Sequence, residues 1–334
     1  MLGVEGRQRA IGGLTTTHDR MPRILVIGAG GLGGYLGGRL IQMGLPVTFL
    51  VRPERAKTLS AHGLVLRSVH GDYRAQHVDV LTAGGEAHSE FDVALISVKA
   101  YDLPNALDLA RPFTSRTVFI PLLNGGEHLS FLTGAVGPQR VAASVIYIEC
   151  ALRGNEVHQT SGFQRLIVHG AFRQGPVGPL LAALSAAGLD AAFTDDIGRE
   201  VLHKWMFISA FAAMTSLVRG DMAAAWADPF ISAIGPHLVE EVARMGVAQG
   251  TGIGTRDQEE QITRLRALGK GSTTSMARDL EGQRPLELDA IHRAVVRTSA
   301  AHGVAAPAHA EVVDRLAPFE FPKPAPAPGG TNGV

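Results

Sequence analysis

Residues 23–34 read RILVIGAGGLGG, and the order of the parts in this stretch decides the fold. Ile24 to Ile27 form an unbroken apolar run without alternation, the pattern of a strand buried on both faces of a parallel sheet. The run ends in Gly28-Ala29-Gly30-Gly31-Leu32-Gly33, which fits G-x-G-x-x-G. A chain with 40 glycines forms such hexads by chance. This one stands between a strand and a helix, where dinucleotide recognition needs it. Gly28 permits the tight turn, Gly30 lets backbone N–H groups approach a pyrophosphate, and Gly33 lets helix and strand pack closely. Gly31 and Leu32 open the helix, whose N-terminus attracts the anion. The competing reading is a glycine-rich turn that packs two elements and binds nothing.

Outward from this turn, strands and helices continue to alternate. A helix is expected from Leu32 to Met43 with Gly44 as its stop, then the strand PVTFLV, then a short helix from Glu54. GLVLRSV and YRAQHVDVL flank His70-Gly71-Asp72, which reads as a hairpin inserted into the pattern. FDVALISVK and TVFIPLLN are two more buried strands, each followed by a helical segment, and RVAASVIYIEC, EVHQTS and QRLIVHG read as a late antiparallel extension. From about Asp196 helical periodicity takes over, at 197–218, 228–249, 257–268, 272–282 and 286–302, with Gly303 ending the last. The expected fold class is therefore α/β, with a Rossmann-type doubly wound sheet at 21–195 followed by an all-helical domain at 196–320. Residues 1–20 contain no apolar stretch of signal-peptide length and are expected to be a loose extension, or translation starts at Met21. The Pro/Gly-rich segment 321–334 is expected to be disordered.

Composition removes several classes. Lys plus Arg equals Asp plus Glu at 31 each, so no sequence-wide field draws the chain to nucleic acid or acidic lipid. The single cysteine, Cys150, excludes an intramolecular disulfide framework and a Cys-rich zinc site, and fits a cytoplasmic compartment. The 13 histidines are scattered with no H-x-x-x-H, so no metal is expected. The apolar run from Trp205 to Val218 is fourteen residues, short for a membrane span and more like a buried core helix.

The residues that could do chemistry each have an ordinary alternative. An NAD site places Asp or Glu at the end of the second strand; here Arg52 stands there, with Arg55 near it, and a guanidinium suits a 2′-phosphate. Glu54 complicates that reading, and either arginine could be a solvated surface charge. Lys99 and Asn124 fall at the carboxyl ends of strands, where ligands lie in open α/β sheets, yet a strand-end lysine and an Asn-Gly turn explain them equally well. Lys204 shares a helix face with Val201, Ile208 and Phe211. In a cleft of low dielectric its pKa would fall and it could protonate a carbonyl oxygen; otherwise it snorkels to water. Glu287 and Ser275 both read as residues near helix N-termini, where Ser272, Thr273 and Thr274 compete with Ser275 for the cap.

Together these segments resemble one family, the ketopantoate reductases (2-dehydropantoate 2-reductases). The resemblance runs from about Arg23 to Leu316 as an ordered set: GAGGLGG, Arg52 after the second strand, SVKAYD at 97–102, and LLNGGE at 122–127. LHKWMF at 202–207, TSMARDLE at 274–281, LELDAI at 286–291 and AHGVAAP ending at Pro307 complete it. What the resemblance implies is NADPH-dependent reduction of a 2-oxo acid, ketopantoate, to pantoate for pantothenate and coenzyme A. It also implies a helical domain like that of 6-phosphogluconate dehydrogenases, and it leaves a homodimer open. By the same resemblance Lys204 is the general acid, Glu287 holds a substrate hydroxyl, and Ser275 binds the substrate carboxylate. Asn124 and Lys99 lie at the nicotinamide end, and Arg52 lies on the 2′-phosphate.

The match frays at the substrate. Family members commonly have asparagines four and eight residues after the lysine, where this chain has Ile208 and Ala212. His292-Arg293 stands where an Asn-Gly pair is common, and Ser272 where another substrate-binding asparagine is frequent. Loss of amides that bind polar substituents changes specificity by orders of magnitude. A paralogue reducing another 2-oxo acid, or a non-catalytic NADP(H)-binding sensor, are the alternatives.

Overall fold

The computed structural model describes residues 21–85 and 90–322. The extension expected at 1–20, and the expected disordered tail beyond Pro322, lie outside the described residues. Five parallel strands form the central sheet in the spatial order Asp79–Leu81, Val47–Leu50, Ile24–Ile27, Val93–Ile96, Val118–Pro121. Ile24 aligns with Val47 on one side and with Val93 on the other. Ile24, Leu25 and Val26 are wholly inaccessible, and each such side chain contributes about 1.5–3 kcal/mol of burial. The strand order reverses between Ile24–Ile27 and Val93–Ile96, so a crevice forms beyond their carboxyl ends. The glycine turn follows Ile27 directly, Lys99 lies shortly beyond Ile96, and Asn124 lies shortly beyond Pro121 on the adjoining strand.

Two expectations for the strands are corrected. The hairpin is present, Leu64–Ser68 against Tyr73–Ala75, but its second arm stops there. Asp79–Leu81 leaves it for the edge of the parallel sheet, where Val80 and Leu81 pack against the apolar core. The late extension is not simply antiparallel. Cys150–Arg153 and Glu156–Gln159 pair antiparallel, and the latter joins Leu64–Ser68 in parallel. Ser144–Tyr147 and Arg165–His169 pair antiparallel, and Asp190–Thr194 adds in parallel to the latter. The helix Val177–Ala186 supplies the crossover that a parallel pair requires.

The C-terminal part is helical. Asp196 accepts a hydrogen bond from the Arg199 N–H at 3.3 Å and starts the helix Ile197–Val218 where the periodicity places it. Asp228 likewise caps Pro229–Ala248, followed by Thr255–Arg266. Ser275–Glu281 begins three residues later than the expected 272, because Thr274 is the cap, its hydroxyl accepting from the Ala277 N–H at 3.2 Å. The last expected segment opens at Leu288 with a π-helical stretch, Asp289–Arg293, and continues as Ala294–Ala301 to Gly303 at φ 71°. Met222–Ala227 and Pro307–Leu316 are further helices that the periodicity missed.

The fourteen-residue apolar run proves to be part of a 22-residue helix, long and apolar enough by composition to cross a bilayer. More than half of its most apolar window is instead buried inside the protein, at 56 %. Met206, Ala210, Ala213 and Met214 are inaccessible within the second core, as the sequence reading of a core helix requires.

Candidate active site

At the glycine turn, Gly28 adopts φ 96°, a conformation that disfavours any side chain. A Cβ on Gly33 would stand 2.0 Å from Ser97 Oγ and 2.2 Å from the Gly28 carbonyl, so the first helix can seat itself only as glycine. A Cβ on Gly30 would meet nothing within 4 Å, so open space lies over the turn. Gly30 caps the helix Gly31–Gln42 without a side-chain bond, and the first N–H groups of that helix face this space unmatched by any cap. Arg55 donates from Nε to the Ala29 carbonyl at 3.0 Å, and its buried Nη2 has no partner among the described residues. Desolvation lowers its pKa. These features fit the phosphates of a dinucleotide. Arg52, by contrast, is 73 % exposed and holds Asp102 at 2.7 Å.

Lys99 joins the two halves of the protein. Its Nζ lies 2.8 Å from Glu287 Oε2 and 2.8 Å from Asp279 Oδ2. Burial works to strip its proton, but the two carboxylates outweigh that effect and raise the pKa. The second Glu287 oxygen accepts the Ala100 N–H at 3.1 Å, and Asp279 is held in turn by Arg284 at 2.9 Å. Glu287 stands just before the first helical residue, its carbonyl accepting the Ile291 N–H at 3.1 Å. Asp279 escaped the sequence reading, although it lies within the TSMARDLE motif, because an acid in mid-helix has no distinguishing pattern.

Asn124 opens a turn that docks on the helical domain. Gly125 has φ 84°, and a Cβ there would come within 2.3 Å of the Ala290 carbonyl. A Cβ on Gly126 would lie 2.5 Å from the Trp205 ring, whose Nε1 donates to the Ile291 carbonyl at 3.0 Å. This packing fixes the helix turn bearing Lys204.

Lys204 is part-buried, and its ammonium has no hydrogen-bond or ion-pair partner among the described residues. It lies 5.9 Å from the ring centroid of Tyr147, which Arg264 also faces, at 5.3 Å. Burial lowers its pKa to about 8, and the charge of Glu287 partly opposes the fall. Val201, Phe207, Ile208 and Phe211 on the same side are part-buried, whereas Ala212 is buried. Ser275 is exposed at the start of its helix and Ser272 is part-buried; neither hydroxyl has a partner among the described residues.

A cavity of about 260 Å³ opens beside Asn124 and Glu287. His128 lines it, 8 % exposed, with no hydrogen bond to either ring nitrogen among the described residues. Burial, then the charge of Lys204, lowers its pKa to about 4. The sequence reading missed His128 because it follows the LLNGGE motif directly and carries no spacing signal of its own. The structure thus brings Lys99, Asn124, Lys204 and Glu287 to one cleft, with His128 and Asp279 added.

Comparison with known proteins gives a consistent result. Residues 24–174 match the family described as ketopantoate reductase PanE/ApbA, and residues 196–320 match its C-terminal counterpart. The chain is 31 % identical over 305 residues to the uncharacterized oxidoreductase YkpB of Bacillus subtilis, covering 90 % of this chain and 100 % of that one. It is 28 % identical to a 2-dehydropantoate 2-reductase of Caulobacter vibrioides, over 89 % of this chain and 98 % of that one. The crystal structure of a 2-dehydropantoate 2-reductase from Geobacter metallireducens superposes with a TM-score of 0.81 at 27 % identity, covering 89 % and 99 % of the two chains.

Proposed function

Because the chain belongs to the ketopantoate reductase family, and is an oxidoreductase acting on a CH–OH group, we propose that it reduces a 2-oxo acid to the 2-hydroxy acid with NADPH. Conversion of 2-dehydropantoate to pantoate, in cytoplasmic pantothenate biosynthesis, is the first reaction to test, since several relatives carry that name. The observation that carries the proposal is Lys204: a part-buried ammonium without a hydrogen-bond or ion-pair partner among the described residues, with a pKa near 8, in the cleft between the two halves.

The nicotinamide, when bound, supplies hydride to the carbonyl carbon. The chain's own residues then have distinct tasks. Lys204 places a positive charge where negative charge grows on the carbonyl oxygen, and donates its proton there. Lys99 holds Glu287 in place, so that the carboxylate can accept from a substrate hydroxyl and support the charged form of Lys204. The exposed hydroxyl of Ser275 is offered to the substrate carboxylate, Ser272 supports it, and the Asn124 amide orients the acceptor carbon. The turn Gly28–Gly33 and Arg55 hold the pyrophosphate, and Arg52, exposed at the rim, reaches the 2′-phosphate.

A second reading, reduction of a different 2-oxo acid, is favoured by Ile208, an apolar side chain part-exposed one turn beyond Lys204 where an amide would bind polar substituents. A binding-only sensor has no use for a part-buried ammonium at Lys204. The test is Lys204→Ala: turnover should fall about 10²–10⁴-fold while NADPH titration is unchanged. A variant that stays active refutes the assigned role.

A further inference from the structure

The cavity beyond Glu287 has a chemistry that the reaction at Lys204 does not use. It opens between Tyr101 and Phe131, which are 41 % and 42 % exposed, and Leu103, Pro104, Leu286 and Ala290 continue its wall. Three carboxylates border it, and all are engaged. Glu287 is held by Lys99 at 2.8 Å, while Arg297 holds Glu127 at 2.6 Å and Asp289 at 2.7 Å. No lysine or arginine is among its described lining residues. His128 adds a buried imidazole with no hydrogen bond among the described residues, neutral at physiological pH because burial and the nearby Lys204 charge oppose its protonation.

We propose that this cavity seats the far end of the substrate and selects 2-oxo acids whose far end is uncharged and apolar, a branched alkyl or aromatic group. The inference rests on the reading of Lys204 and Glu287 as the centre of a 2-oxo acid reductase, and develops its second form. The cavity shares Asn124 and Glu287 with that centre, so a group attached to the reacting carbonyl can extend into it. An anionic end would meet three carboxylates and no lining cation, which disfavours dicarboxylic acids. A hydroxylated end would find a single acceptor, Glu287, whose two oxygens already hold Lys99 and the Ala100 N–H, while Glu127 and Asp289 are committed to Arg297. An apolar end is covered by Tyr101, Phe131 and Leu286, and loses no hydrogen bond. Ile208, one helical turn from Lys204 and part-exposed, has the same apolar character.

The test compares kcat/KM for pyruvate, 2-oxoisovalerate, phenylglyoxylate, 2-dehydropantoate and 2-oxoglutarate, in the wild type and in two variants of opposite sense. Phe131→Ala removes a half-exposed wall, and Ala290→Leu fills the space. The expected result is at least about tenfold preference for phenylglyoxylate or 2-oxoisovalerate over 2-dehydropantoate and 2-oxoglutarate. Each variant should lower the ratio of phenylglyoxylate to pyruvate by about tenfold, mainly through KM. Preference for 2-dehydropantoate or 2-oxoglutarate, or a ratio that neither variant moves, overturns the inference and leaves 2-oxo acid reduction standing. Failure to reduce any acid in the panel overturns both.

Discussion

Lys99 Nζ and Glu287 Oε2 stand 2.8 Å apart although 188 residues separate them in the chain. The pair ties the end of a sheet strand to the start of a helix in the other half, and Asp279 completes it from a second helix. Its loss should therefore be felt as stability. Lys99→Met leaves Glu287 and Asp279 as buried carboxylates, Asp279 keeping only Arg284. We expect a loss of about 2–3 kcal/mol, below the usual cost of breaking a buried pair because Lys99 is about a third exposed. Lys99→Met with Glu287→Gln should recover part of it. Urea denaturation measures both, and a double variant no better than the single would sink the coupling.

Catalysis should carry the signature of Lys204. Its pKa near 8 means the proton is present below that value and lost above it. For reduction, kcat/KM should be level below about pH 8 and fall tenfold per unit above; oxidation of the 2-hydroxy acid should rise with pH up to the same point. A reduction rate unchanged at pH 10 would exclude Lys204 as the proton donor.

Arg52 should set the cofactor preference. It reaches solvent at the rim of the crevice, with Asp102 as its partner. Arg52→Ala should weaken NADPH about tenfold, a loss of about 1.4 kcal/mol, and leave NADH unaltered. Equal weakening of both nucleotides in a fluorescence titration would place its role elsewhere.

Gly126→Ala should act at a distance. The added methyl meets the Trp205 ring at 2.5 Å, and Trp205 adjoins Lys204 on the same helix. Overpacking of this kind costs about 1–3 kcal/mol. The measurable outcome is a lower melting temperature together with a lower kcat; a drop in stability alone would show that the turn does not position Lys204.

Acid should unfold the protein through its buried histidines. His128, His292 and His309 are held neutral, with pKa values lowered by burial. An unfolded histidine takes its proton near pH 6.5, so the folded state binds fewer protons below that value. Their stabilising contribution is whole above pH 6.5 and is lost progressively as pH falls below it. His128, lowered to about 4, accounts for about 3 kcal/mol of this by itself. His128→Leu should flatten the melting temperature between pH 6.5 and 4, and an unchanged slope would count against its burial as a neutral ring.

The parts of this architecture that sequence revealed are those with a repeating or motif-bound signal. The strand before Gly28, the long helix from Ile197 and the cleft residues Lys99, Asn124, Lys204 and Glu287 belong to that group. Asp79–Leu81 was not legible, because a short strand takes its sheet from neighbours far away in the chain, and no local pattern separates one edge from another. Thr274 was one of four hydroxyl-bearing residues in a row, and only the hydrogen bond to Ala277 identifies the cap. His128 and Asp279 matter through what surrounds them, burial in the first case and distant charges in the second, and neither property is written at their own positions.

The π-helical stretch Asp289–Arg293 has one further consequence. A wide turn of this kind holds one residue more than an ordinary helical turn. Each residue advances a helix by about 100°, so deleting one from the stretch would rotate Leu288 and Glu287 by roughly that angle against Ala294–Ala301. The trailing helix would keep its packing while the carboxylate swung away from Lys99. The bulge thus acts as a phase setting: it fixes where one carboxylate points relative to the trailing helix Ala294–Ala301.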